Sequence, residues 1–581
     1  NALQRSARLP LLVGADLETG AAFRARGGWF LPNAIELGGA TSFPYQMGIG
    51  ATRDPKLAYE MGRVTAVEGR AMGIHMAFAP VLDVNNNPNG PQTVSANLYL
   101  APMLHWVVTS PQYDGRFVAR YTQQLTVPGT ALSTWDRMGY DPSSDNGAQQ
   151  WRDVYWVLGQ NLVDMTNLAA AEERWDLLGV AKVLKAWGWQ VTTDLHGEII
   201  VKEAIDQSKF SFGYDSQEYA YQEILKLLNE AITNLQRTDG AVDQAYLART
   251  DKIYNGDRTK WLKLAYGMKA LCLNHFSRKA SYKPADVIAA VNLSFSSGAD
   301  DALLKYPGTQ NDDINFWGRT RGNFNAYRQT QFVVGLMNGT QFAGAVDPRM
   351  SRMLSPSPDG LYRGLDVNVV GFGALTTAQQ PNNVYGYAGT GGLALPGRYI
   401  FDDKAKLPLM TYSQLQFIKA EAAYKMGDMA TALASYTAGV SSHIDFVNAR
   451  NLDNGQAPTQ ISAAEKSAFL ATPSIIPASP AGLSLTRIMS QKYLAQWGWG
   501  HNEIWMDMRR YNYTDVDPAS GVQVFPGFTL PTNLYPDNGG KIAQRIRPRF
   551  NSEYVWNRPG LEAIGGLALD YHTKPLWITQ P

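Results

Sequence analysis

Long helical stripes constrain this chain more than any other feature. Between residues 218 and 236, Tyr221, Leu225, Leu228, Ile232 and Leu235 recur at spacings of four, three, four and three. That rhythm places all five on one helix face. Trp261, Leu264, Met268 and Leu271 repeat it over 259–276, with Cys272 beside the stripe as a small buried hydrophobe. Residues 411–447 read as two helices broken at Gly427-Asp428. Small side chains at Ala420, Ala423 and Ala432, with Tyr424 and Tyr436, let the two pack closely. The pattern is that of a tetratricopeptide-like hairpin. A further long helix is expected over 484–510, through Ile488, Leu494, Trp497, Ile504 and Trp505. A helix with one apolar stripe must bury it against a neighbour, so the expected class is mainly α: a tetratricopeptide-like scaffold. Residues 296–328 and 355–398 are too polar and too broken for core elements. They are long loops, and loops of that length are usually functional or disordered.

The first ninety residues follow a different rule. Residues 9–16 (LPLLVGAD) form an apolar run ending in an acid, like a buried parallel strand. Asp54-Pro55 caps a helix through Arg70, with Leu57, Met61, Val64 and Val67 at helical spacing. Residues 73–83 (GIHMAFAPVLD) read as a second strand ending in an acid. Strand–helix–strand order implies a parallel sheet. In a barrel of that type, acids at strand C-termini line the active site.

Composition removes several functions. The 52 Lys+Arg against 51 Asp+Glu give a net charge of +1, which creates no field for nucleic acid or anionic lipid. One cysteine excludes a disulfide framework and a multi-cysteine zinc site. The seven histidines are scattered, and no two lie at metal-ligand spacing. No run of about 18 apolar residues supplies a transmembrane helix. Aromatic residues reach 11%, and exposed Trp and Tyr faces stack on sugar rings.

Two resemblances follow from particular residues. Residues 10–20 (PLLVGADLETG), Gly39-Ala40-Thr41, residues 66–74 (AVEGRAMGI) and residues 78–85 (FAPVLDVN) resemble the N-terminal part of family-3 glycoside hydrolases, the β-glucosidase and β-N-acetylhexosaminidase group. The resemblance spans about residues 8–89 and implies that Asp16 hydrogen-bonds sugar hydroxyls, with Arg24 nearby. Thr19 stands where the family has the first glycine of a D-x-E-G-G element. The family's S-D-W-like nucleophile element and its K-H-F-x-G-H-like loop do not occur here. A retaining glycosidase needs two carboxyl groups about 5 Å apart. A closed barrel needs about 250 residues, so residues 1–84 are expected to form only part of a TIM barrel.

Beyond residue 85 the chain resembles the SusD/RagB family, particularly its second, SusD-like subgroup. The matching pieces run in family order: Asn87-Pro88-Asn89, residues 151–155 (WRDVY), 179–187, 193–199 (TDLHGEI), 251–257 (DKIYNGD), 261–265 (WLKLA), 347–350 (DPRM), 409–412, 417–422 (FIKAEA), 491–495 (QKYLA), 505–510 (WMDMRR) and 545–548 (RIRP). His196 and Ile200 depart from the pattern. By this resemblance, residues 85–581 form a helical nutrient-binding domain with long irregular loops. Its implied partners are a glycan or other nutrient oligomer and a TonB-dependent, SusC-like transporter. Membrane attachment is implied only through a lipid anchor absent from this sequence, on the cell-surface face of the outer membrane. No cofactor and no catalysis are implied. Residues 83–91 (DVNNNPNGP) fit both families, and a junction inside a shared motif reads as a splice. A glycoside hydrolase working through the N-terminal segment and a peptide-binding helical repeat are the alternative readings.

Candidate ligand residues fall on loops. Residues 311–328 combine Phe316, Trp317, Phe324 and Tyr327 with Asn311, Asp312, Asp313, Arg319 and Arg321. Rings beside amides, acids and guanidiniums suit sugars. Residues 133–141 add Trp135, Asp136, Arg137 and Tyr140. The commoner reading is that such rings anchor their loops to the core. Asp301, Asp312, Asp313, Asp402 and Asp403 are possible calcium ligands, without EF-hand spacing; they read more simply as solvated acids. Asp507 beside Arg509 and Arg510 reads as a structural ion pair.

Overall fold

A computed structural model describes residues 13–21, 40–44, 49, 52–79, 94–141, 146–309, 313–391 and 394–581. The chain divides into two compact units, residues 1–94 and 95–581.

In the first unit, strand β1 (Gly14–Asp16) pairs in parallel with β2 (Met76–Phe78), Gly14 opposite Met76 and Asp16 opposite Phe78. Helix α1 (Pro55–Ala71) joins them in sequence, and the Asp54 side chain accepts from the Lys56 amide as its cap. This is the expected strand–helix–strand order, on two three-residue strands. The buried face of α1 differs from the expected one. Leu57 and Val67 are exposed, while Thr65 and Gly69 are buried, with Gly69 set against Leu17. Residues 80–93, including the shared junction motif, lie outside the described residues, as does Arg24.

The second unit is a stack of helices: α2 (Leu100–Tyr121), α3 (Gly159–Ala171), α4 (Trp175–His196), α5 (Gln217–Gln236), α6 (Arg258–His275), α7 (Pro284–Asn292), α8 (Gln331–Met337), α9 (Tyr412–Met426), α10 (Met429–Arg450), α11 (Leu485–Gln496) and α12 (His501–Arg510). Successive helices pack on one another: α3 on α4, α4 on α5, α5 on α6, α6 on α7, α7 on α9, α9 on α10. The stripes read from sequence face inward, with Tyr221, Leu228, Trp261 and Leu264 fully buried. The hairpin break falls at Gly427, whose φ of +83° suits glycine, and Asp428 caps α10. The single helix expected over 484–510 is two helices. The chain turns at residues 497–500, where Gly498 has a φ of +86°.

Short two-stranded pairs pin the loops. β3 (Leu125–Thr126) runs antiparallel to β5 (Arg328–Gln329), and β4 (Ala302–Leu304) to β6 (Leu407–Met410). Four helices meet on one ion cluster. Glu421 of α9 accepts from both Arg510 Nη atoms at 2.6 and 2.9 Å, from Asn274 of α6 and from Tyr511; Asp507 pairs with Lys492 of α11 and with Arg510. The sequence-level ion pair is therefore a buried network. Burial pushes the Glu421 carboxyl up, but Arg510 and Lys492 hold it well below the usual range.

Candidate functional site

The longest loop, 355–398, builds a groove over α8. Thr330 caps α8 by accepting from the Val333 amide. The loop docks on that cap through backbone bonds, with Leu365 N–H donating to Gln329 O at 3.0 Å and Gln331 N–H to Leu365 O at 2.9 Å. Gly364 makes this possible: a Cβ there would stand 2.0 Å from the Thr330 carbonyl. Three buried polar side chains shape the rest. Gln329 donates to the Ser355 and Arg363 carbonyls. Arg328 reaches five carbonyls, those of Asn325, Tyr327, Pro381, Ala388 and Gly389. Burial lowers its guanidinium to about 10. Asn383 accepts from Tyr385 and Tyr387 and donates to Asn325, Gly389 and Gly391. Backbone groups of an irregular loop need partners, and these side chains supply them.

The resulting groove encloses about 750 Å³. Gln331, Asn338, Thr340 and Asp366 on its wall are exposed, Gln341 and Arg363 half-buried, and Tyr362 and Phe372 add rings. Arg363 is held by Asp359 at 2.7 Å. The wall thus mixes donors, acceptors and flat apolar surface, which matches a polyhydroxylated ligand. A small cleft lined by Ser133 and Asp136 shares Leu365, Asp366, Val367, Val369 and Gly371 with it.

The residues expected to bind sugar lie elsewhere. Trp317 is fully buried, stacked on Phe324 with centroids 3.3 Å apart, and its indole N–H donates to Gln112. Phe316 is buried as well. Tyr327 is half-buried, packing on Phe324 and reaching the Arg116 carbonyl. Trp135 and Tyr140 are buried against one another, with centroids 5.2 Å apart. Trp317, Phe316, Trp135 and Tyr140 present no open face to a ligand, because a loop made of so many aromatics gains more by closing the core; Tyr327 stays partly exposed. Arg319 pairs with Asp402, and Asp313 accepts from Thr309. Asn311 lies outside the described residues. Asp402 is buried, not solvated, and Asp301 accepts from the Tyr412 amide. Asp16 closes β1 in the first unit, half-buried. The groove residues were not singled out from sequence one by one; only the length of loop 355–398 drew attention to this segment.

Among the described residues, one His/Asp/Glu group has metal-ligand proximity. Ligand-type atoms of Asp194, His275 and Glu503 lie within 4.8 Å of one another. Hydrogen bonds already fill the group: His275 bonds Glu503 at 2.9 Å and the Tyr221 hydroxyl at 2.8 Å, and Gln190 donates to both carboxylates. Burial lowers His275, but Glu503 and Asp194 outweigh it and raise the imidazole. It serves as their counter-ion.

The second unit is a stack of helices with a loop-walled groove over α8. The sequence profile of the SusD-like family described as "Starch-binding associating with outer membrane" matches residues 88–527, and the chain belongs to that family. The N-terminal domain profile of glycosyl hydrolase family 3 matches residues 1–97. Among solved structures, the chain is similar to a SusD/RagB family protein from Bacteroides thetaiotaomicron at 21% identity and TM-score 0.66, covering 84% of this chain and 99% of that one. A SusD homologue from Bacteroides fragilis matches at 18% identity and TM-score 0.63, over 84% and 100%. A chitin-binding SusD homologue from Flavobacterium johnsoniae matches at 18% and 0.63, over 83% and 98%. These likenesses establish the helical fold. Beta-hexosaminidase A of Pseudoalteromonas piscicida is 36% identical over 99 residues, 16% of this chain, and the chain spans only 15% of that relative's length. Family membership associates the protein with glycan binding at the outer membrane, in a family generally without enzymatic activity. Among the described residues, no helix is long and apolar enough to cross a membrane.

Proposed function

We propose that the protein binds an oligosaccharide in the groove over α8 and passes it, uncleaved, to a TonB-dependent transporter, from a lipid-anchored position on the outer cell surface. The carrying observation is the groove itself: exposed amides, Asp366 and Arg363 beside Tyr362 and Phe372, held by a rigid buried lattice of Arg328, Gln329 and Asn383. Hydrogen bonds to vicinal hydroxyls plus one stacking ring are what sugar recognition needs. The family's glycan binding and a chitin-binding structural neighbour support the reading. Trp317, Phe316, Tyr327, Trp135 and Tyr140 act from beneath, by fixing loops in the core.

Calorimetry on the full chain with chito- and malto-oligosaccharides tests it. Asp366→Ala and Tyr362→Ala should each weaken binding about tenfold, the worth of one good polar or stacking contact. Unchanged affinity in both variants, or no heat with either series, would overturn the groove assignment. Release of chromophore from an aryl glucoside or aryl N-acetylglucosaminide would overturn the non-catalytic reading.

A further inference from the structure

A second cavity, of about 570 Å³, lies on the same helical unit and differs in chemistry. Trp151, Tyr155, Trp156, Ile200, Ile205 and Phe212 make most of its wall. Trp156 is 67% exposed, an unusual place for the largest apolar side chain. Two π-helical segments, Asp153–Leu158 and Phe550–Trp556, both contribute to this one cavity. Such wide turns are rare and concentrate at functional sites. Ile205 on the wall has a φ of +66°, a left-handed conformation that a β-branched residue adopts only under constraint. Rare backbone from three segments thus converges on one exposed aromatic hollow.

The polar groups of the wall decide what it takes. The Tyr155 hydroxyl is committed to the backbone of Ile200, donating at 2.7 Å and accepting at 2.9 Å. Glu553 is buried, and its Oε2 accepts from Tyr214 and Asn557. The Ser552 hydroxyl has no partner, and the Arg152 guanidinium lies over the Trp156 ring at 4.4 Å with no hydrogen bond among the described residues. Arg549 adds a second cation to the wall. Burial raises the carboxyl of neighbouring Asp153, and hydrogen bonds from Ser110 and Gln149, with the charges of Arg152 and Arg549, oppose that rise. The groove over α8 offers donors and acceptors in plenty; in this hollow Tyr155 and Glu553 Oε2 are already committed, and the Arg152 guanidinium over hydrocarbon is the cation without a hydrogen bond among the described residues.

We infer that this cavity binds a small apolar carboxylate, its hydrocarbon body against Trp156, Ile205 and Phe212 and its carboxylate on Arg152. Guanidinium–carboxylate bonds are charge-assisted and directional. A sugar would leave the aliphatic wall uncovered and find few acceptors. The site is separate from the glycan groove and does not rest on it.

The test uses the full chain and three probes with one aryl body: 2-naphthoate, 2-naphthalenemethanol and 2-naphthylmethylamine, followed by tryptophan fluorescence and calorimetry. Naphthoate should bind tightest. Arg152→Gln should weaken naphthoate about tenfold, as loss of one charge-assisted bond does, and leave the alcohol unchanged. Trp156→Ala should weaken both, while oligosaccharide affinity and melting temperature stay as in the parent. N-acetyl-tryptophan distinguishes the source: binding marks a peptide's carboxyl end as the natural ligand, and exclusion marks a free acid. Equal binding of naphthoate and the alcohol, tighter binding of the amine, or an Arg152→Gln variant that binds naphthoate normally would overturn the inference.

Discussion

The two units of this chain solve the burial problem in opposite ways. In residues 95–581 the helices bury their apolar stripes against one another, and charged groups go inside with them: Glu421 and Arg510 are both fully buried. In residues 1–94 the helix and its two short strands leave large apolar side chains in solvent, Tyr59 at 69% and Phe78 at 56% exposure. The ion pair of that helix, Glu60–Arg63, is half-exposed on both sides. A helical hairpin completes its own interface. A strand–helix–strand unit completes its interface only when further strands and helices cover the sheet. The resemblance of residues 1–97 to one end of a hydrolase domain is thus a likeness of local pattern, without the surrounding barrel among the described residues.

That contrast predicts a graded series of effects. The largest belongs to the buried network. Glu421→Ala removes the acceptor for Arg510, Asn274 and Tyr511 together and leaves a guanidinium without its main partner. Breaking a buried pair from one side costs about 3–5 kcal/mol. Denaturant unfolding followed by tryptophan fluorescence should show the midpoint collapse. A loss no greater than that of a surface pair would show the network to be dispensable.

Next comes pH. Asp114 is fully buried, accepting from the Gln149 and Gln150 amides, and burial raises its carboxyl to about 7. Its folded value lies above the unfolded one. Its contribution is therefore fully present below the unfolded value near 4 and is lost as pH rises toward 7, at about 1.4 kcal/mol per pH unit. Asp114→Asn abolishes that slope. The gap between parent and variant should close or reverse as pH climbs from about 4 to 7; parallel curves would refute the assignment.

Much of the helical unit was legible because periodicity, caps and Gly427 report local geometry. The hairpin at Gly427-Asp428 and the stripe of α5 stand where the pattern put them. The break inside 484–510 was not legible, since an apolar stripe continues across Trp497–Gly500 while the backbone turns. The ligand surface was harder. Trp317 and Trp135 have the composition of a sugar platform, but composition does not tell which side of a loop faces the core, and both are buried. Trp156 is the opposite case: it is exposed, on a π-helical turn that a 3.6-residue reading does not anticipate. Loop length marked segment 355–398 as irregular, and it persists because side chains such as Arg328 and Asn383 satisfy its backbone.

A smaller effect tests the hairpin itself. Gly427→Ala forces a side chain into a left-handed cap, which costs about 1 kcal/mol. Nothing lies within 4 Å of a Cβ there, so the cost is conformational alone. Replacement by Asn, which tolerates this conformation better, should recover part of the loss in the same melting experiment.

The smallest effect belongs to the first unit. Glu60→Ala removes the 2.7 Å bond to Arg63, yet both side chains are already half in water. An exposed pair of this kind is worth less than about 0.5 kcal/mol. Glu68 is the informative contrast on the same helix, because it is half-buried and accepts from both the amide and the hydroxyl of Thr41 at 2.7 Å. Hydrogen exchange of peptides from Pro55–Ala71 should therefore stay unchanged in Glu60→Ala and accelerate in Glu68→Ala. Peptides of the helical unit should respond to neither. Equal acceleration by the two variants would mean that the surface pair, not the Thr41 contact, holds this helix, and the distinction between exposed and interior charge would fail within its own unit.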